Sequence, residues 1–211
     1  VSPPAPPKPS APIATLAFGA SGPAVSVLQR RLTELGYWDG DPVGQFGLLT
    51  MHAVIAAQKA AGLSRDGVVG PLTEAALERG VRPNARSSSG VVLEIDLTRQ
   101  LLLYAVDGTP RWVFSVSTGS GGTYWMRGTA RLAVTPVGVF RLYREVNGSD
   151  VSPLGVLWRP KYFVGGVAIH GYYSVPAYPA SHGCVRVSNA AMDFIWQDGL
   201  APLGTTVWVY R

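Results

Sequence analysis

Cysteine is almost missing from this sequence: Cys184 is the single one in 211 residues. That excludes an internal disulfide framework and leaves one free thiol. A lone cysteine can be a small buried hydrophobe, but an idle thiol is unusual in an exported protein, because oxidising compartments select against it. Long apolar runs are missing too. None approaches the roughly 20 residues that span a bilayer, and no charged start followed by an apolar stretch opens the chain, so neither a membrane helix nor a signal peptide is read in the sequence given. Lysine is scarce. The 18 basic residues are nearly all arginines, scattered rather than clustered on one element, and the net charge is only +5. This excludes a nucleic-acid-binding surface and implies at most a weak preference for anionic partners. Hydrophobic residues make up 47% of the chain, enough for real cores.

Proline and serine divide the chain. Residues 1–15 hold Pro3, Pro4, Pro6, Pro7, Pro9 and Pro12 among small polar residues, which predicts an extended tether. Residues 83–90, with Pro83, Asn84 and the run Ser87 to Gly90, read as a linker. Between them, residues 16–82 read as a small all-α unit. Val25, Leu28, Leu32 and Leu35 recur at helical spacing after Pro23, with Gly36 placed to stop the helix. A second helix is predicted from Leu48 to Ala61, ended by Gly62, and a third from Pro71 to Arg79, ended by Gly80. A G-x-x-G-x-L-T echo, Gly44 to Thr50 and Gly67 to Thr73, sits where loops enter the second and third helices. The unit has no catalytic constellation; His52 reads as structural or exposed.

This unit resembles the peptidoglycan-binding domain of wall hydrolases and transpeptidases. The resemblance rests on Val25-x-x-Leu28-Gln29-x-x-Leu32-x-x-Leu35-Gly36-Tyr37, Phe46-Gly47-x-x-Thr50 through Gln58, and Asp66 to Thr73. Ala57 stands where an aromatic often precedes the glutamine, and Asp41-Pro42-Val43-Gly44 replaces the usual Asp-Gly turn.

Residues 91–211 change character. Short β-branched and aromatic segments, Val91 to Leu97, Leu101 to Tyr104, Trp112 to Ser117 and Val137 to Tyr143, are separated by turn residues, with Asp107-Gly108 a hairpin signal. A late helix capped by Ser188, with Met192, Ile195 and Trp196 on one face and Gly199 as its stop, precedes a last strand from Thr206 to Tyr210. The expected fold is thus multidomain: a three-helix unit followed by a mainly-β domain with one packed helix. The glycine-rich stretch Thr118 to Thr129, carrying Tyr124 and Trp125, reads equally as a mobile flap or a packed hairpin.

The unusual chemistry is crowded between Ile169 and Asn189. Here lie two of the three histidines, His170 and His182, and the cysteine, in Ile169-His170-Gly171 and Ser181-His182-Gly183-Cys184-Val185-Arg186-Val187-Ser188-Asn189. A strand ending near His170, followed by a proline-containing loop, lets the chain return and set imidazole beside thiol. A free thiol yields little thiolate at neutral pH, so it needs such a neighbour to act as nucleophile. Gly183 allows close backbone approach, and the amides of His182, Gly183 and Cys184 are candidates for an oxyanion hole. No Asp or Glu lies between Asp150 and Asp193, so either a distant acid or a backbone carbonyl such as that of Gly171 orients the imidazole. Pattern alone does not separate His170 from His182 as base. A zinc site from His170, His182 and Cys184 lacks a fourth ligand, and a papain-like protease would have its cysteine early and its histidine far downstream.

These residues, with Ser117-Thr118-Gly119 and Thr135-Pro136-x-Gly138-x-Phe140 upstream, are similar to the signature of the YkuD-type L,D-transpeptidase catalytic domain. The resemblance implies Cys184 as nucleophile, His170 as general base, the Gly171 carbonyl as its orienting partner and a site shaped by His182. Ser181, Arg186 and Asn189 are then expected to support or bind substrate, with Tyr124 and Trp125 as further substrate contacts. It also implies transfer of a tetrapeptide stem from peptidoglycan through a thioester, with carbapenem β-lactams as inhibitors. No cofactor or metal is expected. A monomer working in the bacterial envelope, as a secreted protein, completes the expectation.

Overall fold

The computed structural model describes residues 15–211, so the proline-rich tether expected over residues 1–15 falls almost wholly outside the described residues. Three helices come first: α1 (Pro23–Glu34), α2 (Leu48–Ala61) and α3 (Pro71–Glu78). Proline opens α1 and α3 within the first turn, and Gly62 ends α2 in the left-handed conformation. The repeated motif has a structural meaning. In each copy the first glycine, Gly44 or Gly67, has positive φ, and the second, Gly47 or Gly70, is the N-cap of the next helix. A buried glutamine from the preceding helix closes each copy. Gln29 accepts from the Gly44 amide at 2.8 Å and donates to Thr50 Oγ1 at 2.9 Å, while Gln58 accepts from Gly67 at 2.9 Å and donates to Thr73 Oγ1 at 3.2 Å. Val25, Leu28, Leu32, Phe46, Val54 and Leu77 fill the core between the helices.

Twelve strands and one helix follow. They are β1 (Val91–Asp96), β2 (Leu101–Val106), β3 (Thr109–Ser115), β4 (Thr123–Met126), β5 (Thr129–Leu132), β6 (Gly138–Arg141), β7 (Arg144–Glu145), β8 (Ser149–Ser152), β9 (Gly155–Val164), β10 (Val167–Tyr172), β11 (Val185–Ser188), α4 (Asn189–Gln197) and β12 (Thr206–Tyr210). One sheet has the order β3-β2-β1-β12-β6, and a second runs β11-β10-β9-β7 with β8 also on β9. Asp107 and Gly108 both take positive φ at the β2–β3 turn, as a tight hairpin of this type demands. Leu93, Ile95, Leu102 and Phe114 from the first sheet meet Phe163, Ile169, Val185 and Val187 from the second, and Met192 and Ile195 of α4 complete this core. Ser188 caps α4, its hydroxyl accepting from Ala191 N at 3.2 Å. Among the described residues, no helix is long and apolar enough to cross a membrane.

The helical unit is built into the edge of the first sheet. Gly36 O accepts from Val113 N at 2.8 Å and Trp38 N donates to Val113 O at 3.2 Å, so the chain after α1 runs along β3. Leu101, Leu103 and Val113 belong to the same buried cluster as the helix residues, and Trp38 stacks on Phe194 of α4 with centroids 5.3 Å apart. The serine-rich stretch 83–90 is held as well. Glu94, fully buried, accepts from the amides of Arg86 and Ser87, from the Ser87 hydroxyl and from Tyr210 OH. Composition reads this stretch as a linker, and a carboxylate contributed from β1 is what fixes it.

Candidate active site

The register of two neighbouring strands builds the site. β10 and β11 pair in parallel, with Ile169 opposite Val185 and His170 opposite Arg186. Ile169, Val185 and Val187 point into the core, so the alternate residues Ala168, His170, Tyr172, Cys184 and Arg186 share the other face. This puts His170 and the thiol, fourteen positions apart in sequence, on one surface. Parallel neighbours need a crossover of about a dozen residues, and residues 173–184 supply it. The strands are therefore not a hairpin, although the chain does return as expected.

His170 is buried, and its Nδ1 lies 2.9 Å from the Gly171 carbonyl. A carbonyl only accepts, so Nδ1 carries the proton and Nε2 keeps its lone pair. Burial pushes the imidazole down to about 4; the Gly171 bond opposes it, and the Arg186 charge adds a smaller push in the same direction as burial. Burial pushes the Cys184 thiol up; the Ala168 amide, 3.5 Å from Sγ, and Arg186 oppose it. At neutral pH the thiol and the imidazole on this face are thus both uncharged, a state that suits a proton transfer accompanying attack. Gly171 is confined from behind: a Cβ there would lie 2.8 Å from Asn189 Oδ1 and from Trp158 Cδ1.

The turn before Cys184 is fixed on three sides. Ser181 Oγ donates to Cys184 O at 2.5 Å and accepts from Gly183 N at 3.0 Å. Thr135 Oγ1 donates to Gly183 O at 2.7 Å and accepts from Gly119 N at 3.0 Å. Ser117 pairs with Arg186 through both backbone bonds, and Thr118 O accepts from Ala180 N and Ser181 N, each at 2.9 Å. The upstream Ser-Thr-Gly and Thr-Pro motifs are therefore the scaffold of the cysteine turn. Gly183 takes φ +142, and a Cβ there would meet Val134 O at 2.8 Å.

A cavity of about 440 Å³ opens over this face, lined by Tyr124, His170, Ser181, His182, Gly183, Cys184 and Arg186 among others. Tyr124 comes from the β4–β5 hairpin and meets the His182 ring edge-on at 4.7 Å. Arg186 lies over the Tyr172 ring at 4.2 Å and donates to Ala180 O at 3.4 Å.

Of the expected substrate contacts one falls outside the cavity wall, while Asn189 and Ser181 take supporting places. Trp125, 74% exposed, points to the opposite face of its hairpin from Tyr124 and does not line the cavity. Asn189 starts α4 and packs behind Gly171, outside the cavity. The Ser181 hydroxyl is committed within the turn, and the Gly183 amide donates to it, so of the three candidate oxyanion donors the amides of His182 and Cys184 are the two left without a hydrogen bond among those of the described residues. Sequence reasoning missed Arg127, Arg131, Tyr162 and Tyr172, which also line the cavity. Tyr172 was within reach, since it stands two residues after His170 on a strand. Arg131 shares a side with Tyr124 because the two pair across the hairpin, and Arg127 stands in the turn between the strands.

Residues 90–209 match the family model of the YkuD L,D-transpeptidase catalytic domain, and residues 21–77 match that of a peptidoglycan binding domain. The chain is similar to a solved L,D-transpeptidase from Xylanimonas cellulosilytica DSM 15894, at 51% identity and a TM-score of 0.90, over 99% of this chain and 100% of that one. A solved L,D-transpeptidase from Stackebrandtia nassauensis shares the fold at 21% identity and a TM-score of 0.55, over 96% of this chain and 98% of that one. The N-acetylmuramoyl-L-alanine amidase CwlM of Mycobacterium tuberculosis is 45% identical over 58 residues, 26% of this chain and 14% of that protein. A probable N-acetylmuramoyl-L-alanine amidase of Bacillus licheniformis is 44% identical over 63 residues, 28% of this chain and 17% of that protein. The chain thus spans less than a fifth of these two curated relatives. It belongs to the YkuD L,D-transpeptidase family, with a peptidoglycan-binding domain ahead of the catalytic one.

Proposed function

We propose that this chain transfers peptidoglycan stem peptides through a thioester on Cys184. The observation that carries the reading is the shared face of β10 and β11, where Cys184 and His170, with its Nε2 lone pair free, line one cavity. His170 takes the thiol proton as sulfur attacks the carbonyl of the third stem residue. The C–N bond to the terminal D-alanine breaks, and His170 returns the proton to the departing amine. The amides of His182 and Cys184 face the developing oxyanion. A diaminopimelate side-chain amine of another stem then attacks the thioester, gives its proton to His170, and releases the thiol. Arg127, Arg131 and Arg186, with no carboxylate in the lining, suit the carboxylates of such stems.

The helical unit would hold the enzyme on the same polymer in the bacterial envelope. Carbapenem β-lactams, as strained acyl donors, would acylate the same sulfur. Incubation with purified tetrapeptide muropeptides, read by mass spectrometry, tests the reaction. Cross-linked dimers are expected; tripeptides alone would make water the acceptor and the chain a carboxypeptidase; unchanged substrate would leave a wall-binding protein without activity.

A further inference from the structure

Lys59 is the odd residue of the helical unit. It lies on α2, is 1% exposed, and points out of its own unit into the first sheet. Its ammonium donates to Gln100 O at 3.0 Å, Ser115 Oγ at 2.8 Å and Val116 O at 2.9 Å, and no carboxylate faces it among the described ion pairs. Buried charges are normally paired, because desolvating them is costly. A methionine or leucine would join two units without that cost. The ammonium instead fixes the positions of three oxygens, and what these oxygens hold leads to the cysteine.

Gln100 is also fully buried, and it takes φ +61, a conformation uncommon for a residue with a side chain. That backbone turns its amide toward Thr118. Gln100 Nε2 donates to Thr118 Oγ1 at 2.7 Å, and Thr118 N donates to Gln100 Oε1 at 2.9 Å. Thr118 O then accepts from Ala180 N and Ser181 N, and Ser181 Oγ donates to Cys184 O. A second contact reaches the same crossover: Arg65, which follows α2, donates to Ala177 O at 3.2 Å. The helical unit therefore reaches the segment that carries the nucleophile twice, directly through Arg65 and indirectly from Lys59 through Gln100 and Thr118.

We infer that Lys59 is a positioning residue for Cys184, acting through Gln100, Thr118 and Ser181, so that the peptidoglycan-binding unit helps to build the active site. This rests on the acyl-transfer reading above. A displacement near 1 Å in a reacting group costs about a hundredfold in rate, so a relay that sets the cysteine turn acts on kcat and leaves the cavity's substrate contacts alone.

The test uses the full chain with Lys59→Met, which keeps the length and loses the donors, and Gln100→Asn, which suits positive φ but is one carbon short of Thr118. Folding is checked by circular dichroism and melting. Each folded variant is expected to lose at least about tenfold in kcat on tetrapeptide substrate with KM within about twofold, and the double variant to lose no more than the worse single one, as members of one chain do. Hydrogen exchange should quicken at the amides of Thr118, Ala180 and Ser181 and not within α1 or α3. Wild-type kcat in folded single variants, additive losses, or unchanged exchange at those three amides would each overturn the inference. If Lys59→Met does not fold, Gln100→Asn with exchange decides alone. If the wild-type chain turns over no substrate, the functional reading fails, while the exchange result still tells whether Lys59 sets the cysteine turn.

Discussion

His170 Nδ1 donates to the carbonyl of Gly171, its own neighbour in the chain, at 2.9 Å. In the proposed mechanism this bond does the orienting that a carboxylate does in other nucleophile–imidazole pairs, and it leaves the ring uncharged. With the imidazole pushed down to about 4 and the thiol pushed up from 9, acylation by a β-lactam should be level from about pH 5 to pH 8 and fall only near pH 4. Alkylation by iodoacetamide, which needs the thiolate itself, should be slow at pH 7 and climb through pH 9. Fast and level alkylation from about pH 5 would mean a thiolate–imidazolium pair and contradict this electrostatic account.

The same shift makes a stability prediction. His170 in the folded chain titrates near 4, below its ordinary 6.5, so between those values the unfolded chain binds the extra proton. Stability should therefore fall as pH drops from about 6.5 toward 4, and His170→Gln should flatten that part of the melting curve. An unchanged slope in the variant would assign the acid sensitivity to other groups.

Lys59 gives a trend at the alkaline end. Burial, and then the charge of Arg65, push its ammonium down to about 7, against 10.5 in an unfolded chain. Within that window the unfolded chain holds more protons, so the contribution of this site rises with pH from about 7 to 9.5. Differential scanning fluorimetry of wild type and Lys59→Met across that range should show the wild type gaining relative to the variant. Parallel curves would mean that Lys59 is not desolvated as described.

Gly183 has no tolerant substitution. Its φ of +142 and the carbonyl of Val134 beside it predict that Gly183→Ala moves the cysteine turn. Acylation of Cys184 should slow by about a hundredfold in folded protein, measured by intact-protein mass spectrometry over time. A rate within twofold of wild type would show that the turn adapts.

Much of this architecture was legible in the chain, for identifiable reasons. The helices announce themselves through Pro23, Pro71 and the glycines that stop them, and the last helix through its Ser188 cap, because these are local effects of backbone geometry. The shared face of His170 and Cys184 was legible because alternate residues of a strand project to one side. What was not legible depends on contacts distant in sequence. The serine-rich stretch 83–90 reads as loose until Glu94 is seen to bind its amides, and nothing local distinguishes Lys59 from a surface lysine. Trp125 looked like a substrate contact, but the hairpin register turns it outward and turns Arg131 in.

Removal of residues 1–85 tests that integration. A tethered accessory unit would come off cleanly. Here the cut exposes Leu101, Leu103 and Val113, each worth about 1.5–3 kcal/mol if fully buried, and removes Lys59 and Trp38. The truncated chain should melt lower or aggregate and should acylate poorly even with soluble substrate. Wild-type turnover by a folded truncation would show that the helical unit takes no part in building the active site.

The most direct test of the central claim is intact-protein mass spectrometry of the full chain with a carbapenem, comparing wild type with Cys184→Ser, His170→Ala and His182→Ala. One adduct per chain is expected in wild type, none in Cys184→Ser, and a much slower reaction in His170→Ala than in His182→Ala. An adduct that persists in Cys184→Ser would contradict the assignment of the nucleophile, and a slow His182→Ala beside a normal His170→Ala would contradict the assignment of the base.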